Sequence, residues 1–433
     1  MKPKLRLILI FVLFFTIQAS QASFLSAVQQ KDNQIGLWKK IPDAPLAVPN
    51  SRIGKELVGN KLVVWGGEKS DKPLSDGAVY DIDKDTWKKM AAAPMEGAEH
   101  GTMLAYGKNE VIIWGGTAIG AIYNADKDTW KKMAAAPITL GAEPYTSGLL
   151  GNKLFVWGIG KTRDLNPVGG IYDIGKDTWK KIAEPLMIKA IDDWPPLFYK
   201  NKFIVWGAPS AAKGDRYGAI YDIDKDEWKE MAKAPIERRN WSASVLVGNK
   251  LIIWGGCPGP VEANTKLSFA DGAVYDIDKD TWKMMAGAPL KARFLPRSFV
   301  WGKKVIIWGG FKDEFDYDGA IYDVEKDAWK KIPDAPLVGI GARGRELYNY
   351  GIFGYNPTPP GLLGDKLIVW GGEGTVVGAI FDLKNDKWEE IAAAPFGGRD
   401  YHASFLYRSK LIIWGGVDAK GAHADGAIYN IGN

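Results

Sequence analysis

Few residues in this chain could do chemistry. It holds three histidines, His100, His402 and His423, and one cysteine, Cys257. None of them falls in a His-x-x-x-His, Glu-x-x-His or paired-cysteine spacing, so no metal site is expected. No glycine-rich phosphate loop opens a helix, and no cofactor is expected. A single cysteine also rules out an intrachain disulfide. What remains is a set of arginines and aromatics: Arg239, Arg293, Arg345 and Arg399, with Trp194, Trp241, Tyr348, Tyr355, Tyr401 and His402. A guanidinium can hold a carboxylate through two parallel hydrogen bonds. Aromatic faces beside such donors suit a sugar ring or an extended peptide. These ten residues form the candidate ligand-binding set.

Their scaffold is written as a repeat. The unit Lys61-Leu-Val-Val-Trp65-Gly-Gly recurs around Trp114, Trp157, Trp206, Trp254, Trp308, Trp370 and Trp414, eight copies in all. A second unit, Gly77-Ala-Val-Tyr-Asp, also occurs eight times, starting again at Gly120, Gly170, Gly218, Gly272, Gly319, Gly378 and Gly426. A third unit, Trp87-Lys-Lys-Met-Ala-Ala-Ala-Pro, follows the second only seven times. Its eighth relative, Trp38-Lys-Lys-Ile-Pro-Asp-Ala-Pro, precedes everything else. The final repeat thus lacks its last strand, and the chain begins with that strand as an orphan. Joining the two closes a ring and removes exposed sheet edges.

Each repeat predicts four strands. The first ends in a turn such as Gly59-Asn60 or Gly248-Asn249, residues that tolerate positive φ. The second is apolar at consecutive positions, as for a strand buried on both faces. The third carries Tyr-Asp, and the turn Asp83-Lys84-Asp85 leads to the fourth at Trp87. The 16 periodic tryptophans are read as packing between wedge-shaped blades.

A glycine pair ending strand two, Tyr-Asp in strand three and a tryptophan about seven residues later resemble the Kelch repeat. The resemblance covers residues 36–433. It implies an all-β fold: a closed eight-bladed Kelch-type β-propeller, with four antiparallel strands per blade and the N-terminal strand completing the last one.

In such a meander, loops one-to-two and three-to-four share one face, and loops two-to-three and four-to-one share the other. The first set is short and uniform. The second varies, most in residues 257–271 and between Pro336 and Gly361. Variation among repeats of a single chain marks the face where function resides. Trp194 and Trp241 fall at the starts of first strands, near the mouth of the channel, whereas Trp301 falls at a first turn on the opposite face. Counting back twelve residues from Leu251, Val305 and Leu411 gives Arg239, Arg293 and Arg399, and from Leu367 it gives Tyr355. An arginine here is also a Kelch habit. It either caps loop carbonyls or forms a basic, aromatic channel mouth.

Formal net charge is +5, but Lys2, Lys4 and Arg6 lie in the first 22 residues, which hold no acid. The near-neutral remainder gives no electrostatic case for nucleic acid or an anionic membrane. The charged start, the apolar run Leu7–Phe15 and the small residues Ser20 and Ala22 read as a signal peptide, residues 1–22. A short segment, residues 23–35, precedes a single propeller domain, residues 36–433. The expected product is a secreted or periplasmic monomer without membrane insertion. It is expected to act as a binding scaffold for protein or glycan rather than as an enzyme. Two catalytic alternatives come from resemblance. Periplasmic sialic acid mutarotases are Kelch analogues that need a polar pocket with Arg and Glu. Galactose oxidase is a Kelch-like copper enzyme, to which Tyr401, His402, His423 and Cys257 are superficially similar.

Overall fold

A computed structural model describes residues 36–46, 51–69, 72–97, 102–115, 119–160, 167–184, 197–207, 218–258, 267–312, 316, 318–336, 361–370, 377–399, 402–418 and 420–432. Eight antiparallel four-stranded sheets stand in sequence as blades of a ring. Blade 1 runs Ser51–Val58, Lys61–Lys69, Gly77–Asp81 and Thr86–Lys89, with a short Lys72–Pro73 strand beside its second strand. Blade 5 runs Ala243–Val247, Lys250–Trp254, Gly272–Asp276 and Thr281–Met284. The other blades follow the same order. Among the described residues there is no helix, and none long and apolar enough to cross a membrane.

Blade 8 is assembled from both ends of the chain. Its first three strands are Ala403–Tyr407, Lys410–Trp414 and Gly426–Asn430, and its outer strand is Trp38–Ile41. Trp38 lies opposite Tyr429 and Ile41 opposite Gly426. In blade 1 Trp87 lies opposite Tyr80 in the same register. The eight-bladed ring closed by the N-terminal strand is therefore observed as expected.

The core is divided into wedges between neighbouring blades. At the junction of blades 8 and 1, Ile41 and Ala44 pack with Leu62, Val64 and Tyr80 on one side and Ile412, Trp414 and Ile428 on the other. Second strands such as Leu251–Trp254 are fully buried, which explains their unbroken apolar runs. The glycine opening each third strand permits close approach. A Cβ on Gly77 would sit 2.6 Å from the Val64 carbonyl oxygen.

Polar bonds fasten the outer rim. All eight outer-strand tryptophans donate their indole N–H to a backbone carbonyl of the preceding blade. Trp130 reaches Ala91, Trp179 Ala134, Trp228 Ala183, Trp282 Ala232 and Trp329 Ala286. Trp87 reaches Pro42, Trp388 Pro333 and Trp38 Ala392, so the set runs unbroken around the ring.

The Tyr-Asp-x-Asp-Lys-Asp motif supplies a second fastening. Asp177 adopts φ 55° at the turn before the outer strand. Its Oδ1 accepts from the Tyr172 hydroxyl at 2.5 Å and from the Ala134 N–H of the preceding blade at 2.8 Å. These two bonds hold the carboxyl below the usual range. The lysine after the tryptophan joins in, as Lys88 does with Asp128 at 2.8 Å. Those lysines are exposed, so each ion pair contributes little.

Blade 7 departs from the rule. Phe381 stands in place of the tyrosine, and Pro333 has no N–H to donate. Asp386 Oδ1 is consequently buried with no hydrogen-bond partner. Replacing Phe381 with Tyr supplies the missing donor. The expected gain is about 1 kcal/mol, the net value of one internal hydrogen bond. Urea unfolding of the variant checks this, and an unchanged midpoint would mean that the oxygen has no need of a donor.

Candidate functional site

The sequence assigns its candidate set to the face bearing the two-to-three and four-to-one loops. Trp194, Arg345, Tyr348, Tyr355 and Tyr401 lie outside the described residues. Arg239, Trp241, Arg293, Arg399 and His402 lie within them.

The three arginines do not stand free at the channel mouth. Arg293 is fully buried, and Arg239 and Arg399 are nearly so. Each sits just before the first strand of its blade and reaches across to the glycine pair ending the second. Arg239 Nη1 donates to the Gly255 carbonyl at 3.2 Å and to Asp271 Oδ1 at 2.8 Å. Arg293 Nη1 donates to Gly309 at 3.1 Å and Asp318 Oδ1 at 2.6 Å. Arg399 Nη1 donates to Gly415 at 3.2 Å and Asp425 Oδ1 at 2.7 Å. Phe269 stacks on Arg239 and Phe396 on Arg399, with the guanidinium carbon 4.2 and 4.3 Å from the ring centroids. Of the two readings of this position, the capping of loop carbonyls is the observed one. The arginines brace the loop face from beneath, and the expectation of open bidentate donors is corrected.

Trp241 is likewise corrected from exposed anchor to packing residue. It is 5% exposed and lies against Cys257 and Phe294 in a small cluster under the loops. Its backbone holds φ 52° and its carbonyl accepts from the Leu295 N–H at 2.7 Å, which ties blade 5 to blade 6. The second glycine of the pair makes room for this crossing. A Cβ on Gly256 would lie 2.6 Å from the Asn240 carbonyl oxygen. Trp301 sits at its first turn, where its indole N–H donates to Asp365 of the next blade at 2.9 Å.

His402 is buried edge-on against Trp370, with centroids 5.0 Å apart. Its Nδ1 lies 3.1 Å from the Arg399 carbonyl, so Nδ1 carries the proton and donates. Burial pushes the imidazole down to about 4, with the Lys55 and Arg399 charges adding to the effect. The neutral form is favoured in the fold, so this contribution is complete above the ordinary value of 6.5 and is lost as pH falls from there toward 4. The expected loss across that window is roughly 3 kcal/mol. Glu56 works in the opposite direction over part of the same range. Comparing urea midpoints of the native protein and His402→Gln isolates the histidine. A variant as acid-sensitive as the native protein would remove His402 from the account.

His423 lies on the same blade, with Nε2 2.9 Å from Asp418 Oδ2. Cys257 belongs to blade 5 and is buried beside Trp241. The structure therefore places this cysteine three blades away from the two histidines, which both lie on blade 8. Among the described residues no group of three or more His, Cys, Asp or Glu could hold a metal ion.

Two residues the repeat pattern did not bring forward stand out on the first strand of blade 1. Lys55 and Glu56 lie opposite Val64 and Val63. Equivalent pairs elsewhere are uncharged: Met103 and Leu104, Ser244 and Val245, Ser404 and Phe405. Burial pushes the Lys55 ammonium down to about 8. It pushes the Glu56 carboxyl up to about 7, against bonds from the Leu57 and Ala105 N–H groups. A base near neutrality on an innermost strand is suited to proton transfer. The sequence signal was a charge pair where other first strands carry none.

The four-stranded blades, the glycine pairs, the Tyr-Asp turn and the outer tryptophan together define a Kelch-type β-propeller with a loop-bearing face. The chain is similar to Kelch domain-containing protein 3 of Homo sapiens, 24% identical over 195 residues. That match covers 41% of this chain and 47% of the human protein, so the chain spans about half the length of the curated relative it matches. No protein-family model matches the chain.

Proposed function

We propose that this propeller is an exported binding scaffold that takes a protein or carbohydrate ligand on its loop-bearing face. The observation that carries the reading is the contrast between the two faces. The turn face repeats one Asp-stabilised turn and spends its side chains on links between blades, such as Tyr407 and Arg408 to Asp83 and Tyr199 to Asp278. The loop face runs from residues 115–119 in blade 2 to residues 255–271 in blade 5, over a foundation of buried arginines. A rigid base under variable loops is the arrangement by which a repeat scaffold presents a ligand site. The kinship with a Kelch domain-containing protein is consistent with a binding role. Trp194, Arg345, Tyr348, Tyr355 and Tyr401 are the proposed contact residues. Export to the periplasm or beyond rests on residues 1–22, and a monomer is the proposed state.

The test uses glycan and peptide arrays probed with the native protein. A second preparation has residues 259–266 and 341–357 replaced by Gly-Ser segments of equal length. Binding present in the native protein and absent from the folded replacement supports the assignment. Equal binding by both overturns it.

A second reading, isomerisation of a small sugar as in sialic acid mutarotases, is favoured by Glu56 alone, a carboxyl held near neutral pH on an innermost strand. Anomer exchange measured by NMR with N-acetylneuraminate, in native protein and Glu56→Gln, decides it. Acceleration that disappears in the variant supports catalysis. No acceleration by the native protein removes it.

A further inference from the structure

The fastenings of the outer rim are not equal around the ring. At the junctions from blade 1 through blade 6, each outer strand is locked by an indole-to-carbonyl bond and by a backbone N–H to the next blade's turn aspartate. The pairs are Ala91 with Asp128, Ala134 with Asp177, Ala183 with Asp226, Ala232 with Asp280 and Ala286 with Asp327, at 2.8–3.0 Å. The outer strand of blade 8 lacks this second lock on both sides, as does that of blade 7, whose junctions carry Pro333 and Gly36; only the blade 8 strand combines this loss with a missing tether. Toward blade 7, Gly36 stands where the aspartate stands elsewhere, two residues before the tryptophan, and it keeps that position's positive φ at 79°. Toward blade 1, Pro42 stands where the alanine stands and has no N–H to donate to Asp85.

Its tethering differs as well. Every other outer strand is joined to its third strand by a tight turn, as Asp81 is to Thr86. Trp38–Ile41 has no turn joining it to Gly426–Asn430. Only its C-terminal end continues into the ring, toward blade 1. Opening any other outer strand leaves a hairpin poised to reclose, whereas this one separates from its neighbour completely.

We propose that residues 36–46 form an exchangeable clasp. They leave the edge of blade 8 as a unit before the ring unfolds, and the same segment of a second copy can take their place. The occupant follows from the register. Trp38 meets Tyr429 as Trp87 meets Tyr80, so the edge Gly426–Asn430 reads the Trp-Lys-Lys-Ile sequence of this strand. Trp38 fills a pocket of Trp370, Phe396 and Tyr429, at centroid distances of 5.3–6.2 Å, which makes it the anchor that an incoming strand must supply. Strand addition to such an edge is a general mode of association.

Two measurements on the intact protein test this. Under native conditions, the edge amides of Gly426–Asn430 are expected to exchange with deuterium at least roughly ten-fold faster than those of Gly319–Asp323 in blade 6. A fluorescent peptide of residues 36–46 is expected to be retained by the full-length protein on size exclusion, and its Trp38→Ala version is not. Gly36→Asp serves as the converse. A Cβ on Gly36 would lie 3.8 Å from the Tyr429 hydroxyl, so the aspartate rebuilds the missing lock and should slow both processes. Edge amides that exchange no faster than those of blade 6, or a native peptide that is never retained, overturn the clasp. Neither result bears on ligand binding by the loop face.

Discussion

Deleting residues 23–45 from the protein is expected to produce the largest loss of stability. The deletion takes away Trp38, which packs on Trp370, Phe396 and Tyr429. It also removes Ile41 and Ala44 from the core between blades 8 and 1. Trp38 is half-buried, so its loss falls below the roughly 3–5 kcal/mol of a fully buried aromatic, and the fully packed Ile41 adds to it. The bond from Trp87 to the Pro42 carbonyl goes with it, and Gly426–Asn430 is left as an open edge. An open edge invites pairing between molecules. Calorimetry and light scattering check the result, which should be a lower melting temperature together with association. Unchanged melting would mean that the ring does not depend on its N-terminal strand.

Trp241→Ala should rank next, at roughly 3–5 kcal/mol. Had the tryptophan been an exposed anchor, its removal would cost almost nothing. Its 5% exposure, its contacts with Cys257 and Phe294 and its carbonyl bond to Leu295 place it in the packed layer beneath the loops. Replacement leaves a cavity where blades 5 and 6 meet on the loop face, so ligand binding should weaken indirectly. The variant's urea midpoint decides this. A midpoint within error of the native protein would return Trp241 to the surface set.

The ring was legible in the sequence because its signal is arithmetic. Eight second strands, eight third strands and seven plus one outer strands leave Trp38 a single place to go. The faces were legible because strand order in a meander dictates them. The roles of Arg239, Arg293 and Arg399 were not. A guanidinium that grips a ligand carboxylate and one that grips Asp271, Asp318 or Asp425 of its own blade have the same sequence spacing. The partner aspartates lie 25–32 residues away along the chain, across a loop of variable length. Trp241 failed for a related reason. Register put it near the channel mouth, but only the crossing of Asn240 with Cys257 buries it. Lys55 and Glu56 escaped notice because one charge pair is inconspicuous in a chain with 56 basic and 51 acidic residues. Their meaning comes from the register, which sets them against Met103, Ser244 and Ser404.

The rim illustrates how one motif serves both turn and assembly. Asp177 stabilises its own turn through positive φ and the Tyr172 hydroxyl, and it also receives Ala134 from the blade before. Local turn chemistry and blade stacking therefore agree, as they should in a sequence that specifies one fold. The exceptions, Gly36, Pro42, Pro333 and Phe381, fall at the closure of the ring and at blade 7.

The central claim is that the loop face binds and the turn face only holds the blades together. Differential amide exchange tests it most directly, comparing the protein alone with the protein bound to an array-selected peptide or glycan. The account predicts protection on the loop face, at segments such as residues 255–258 and 420–423. The turns Asp83–Asp85 and Asp278–Asp280 should be unaffected. Protection confined to those turns would contradict it.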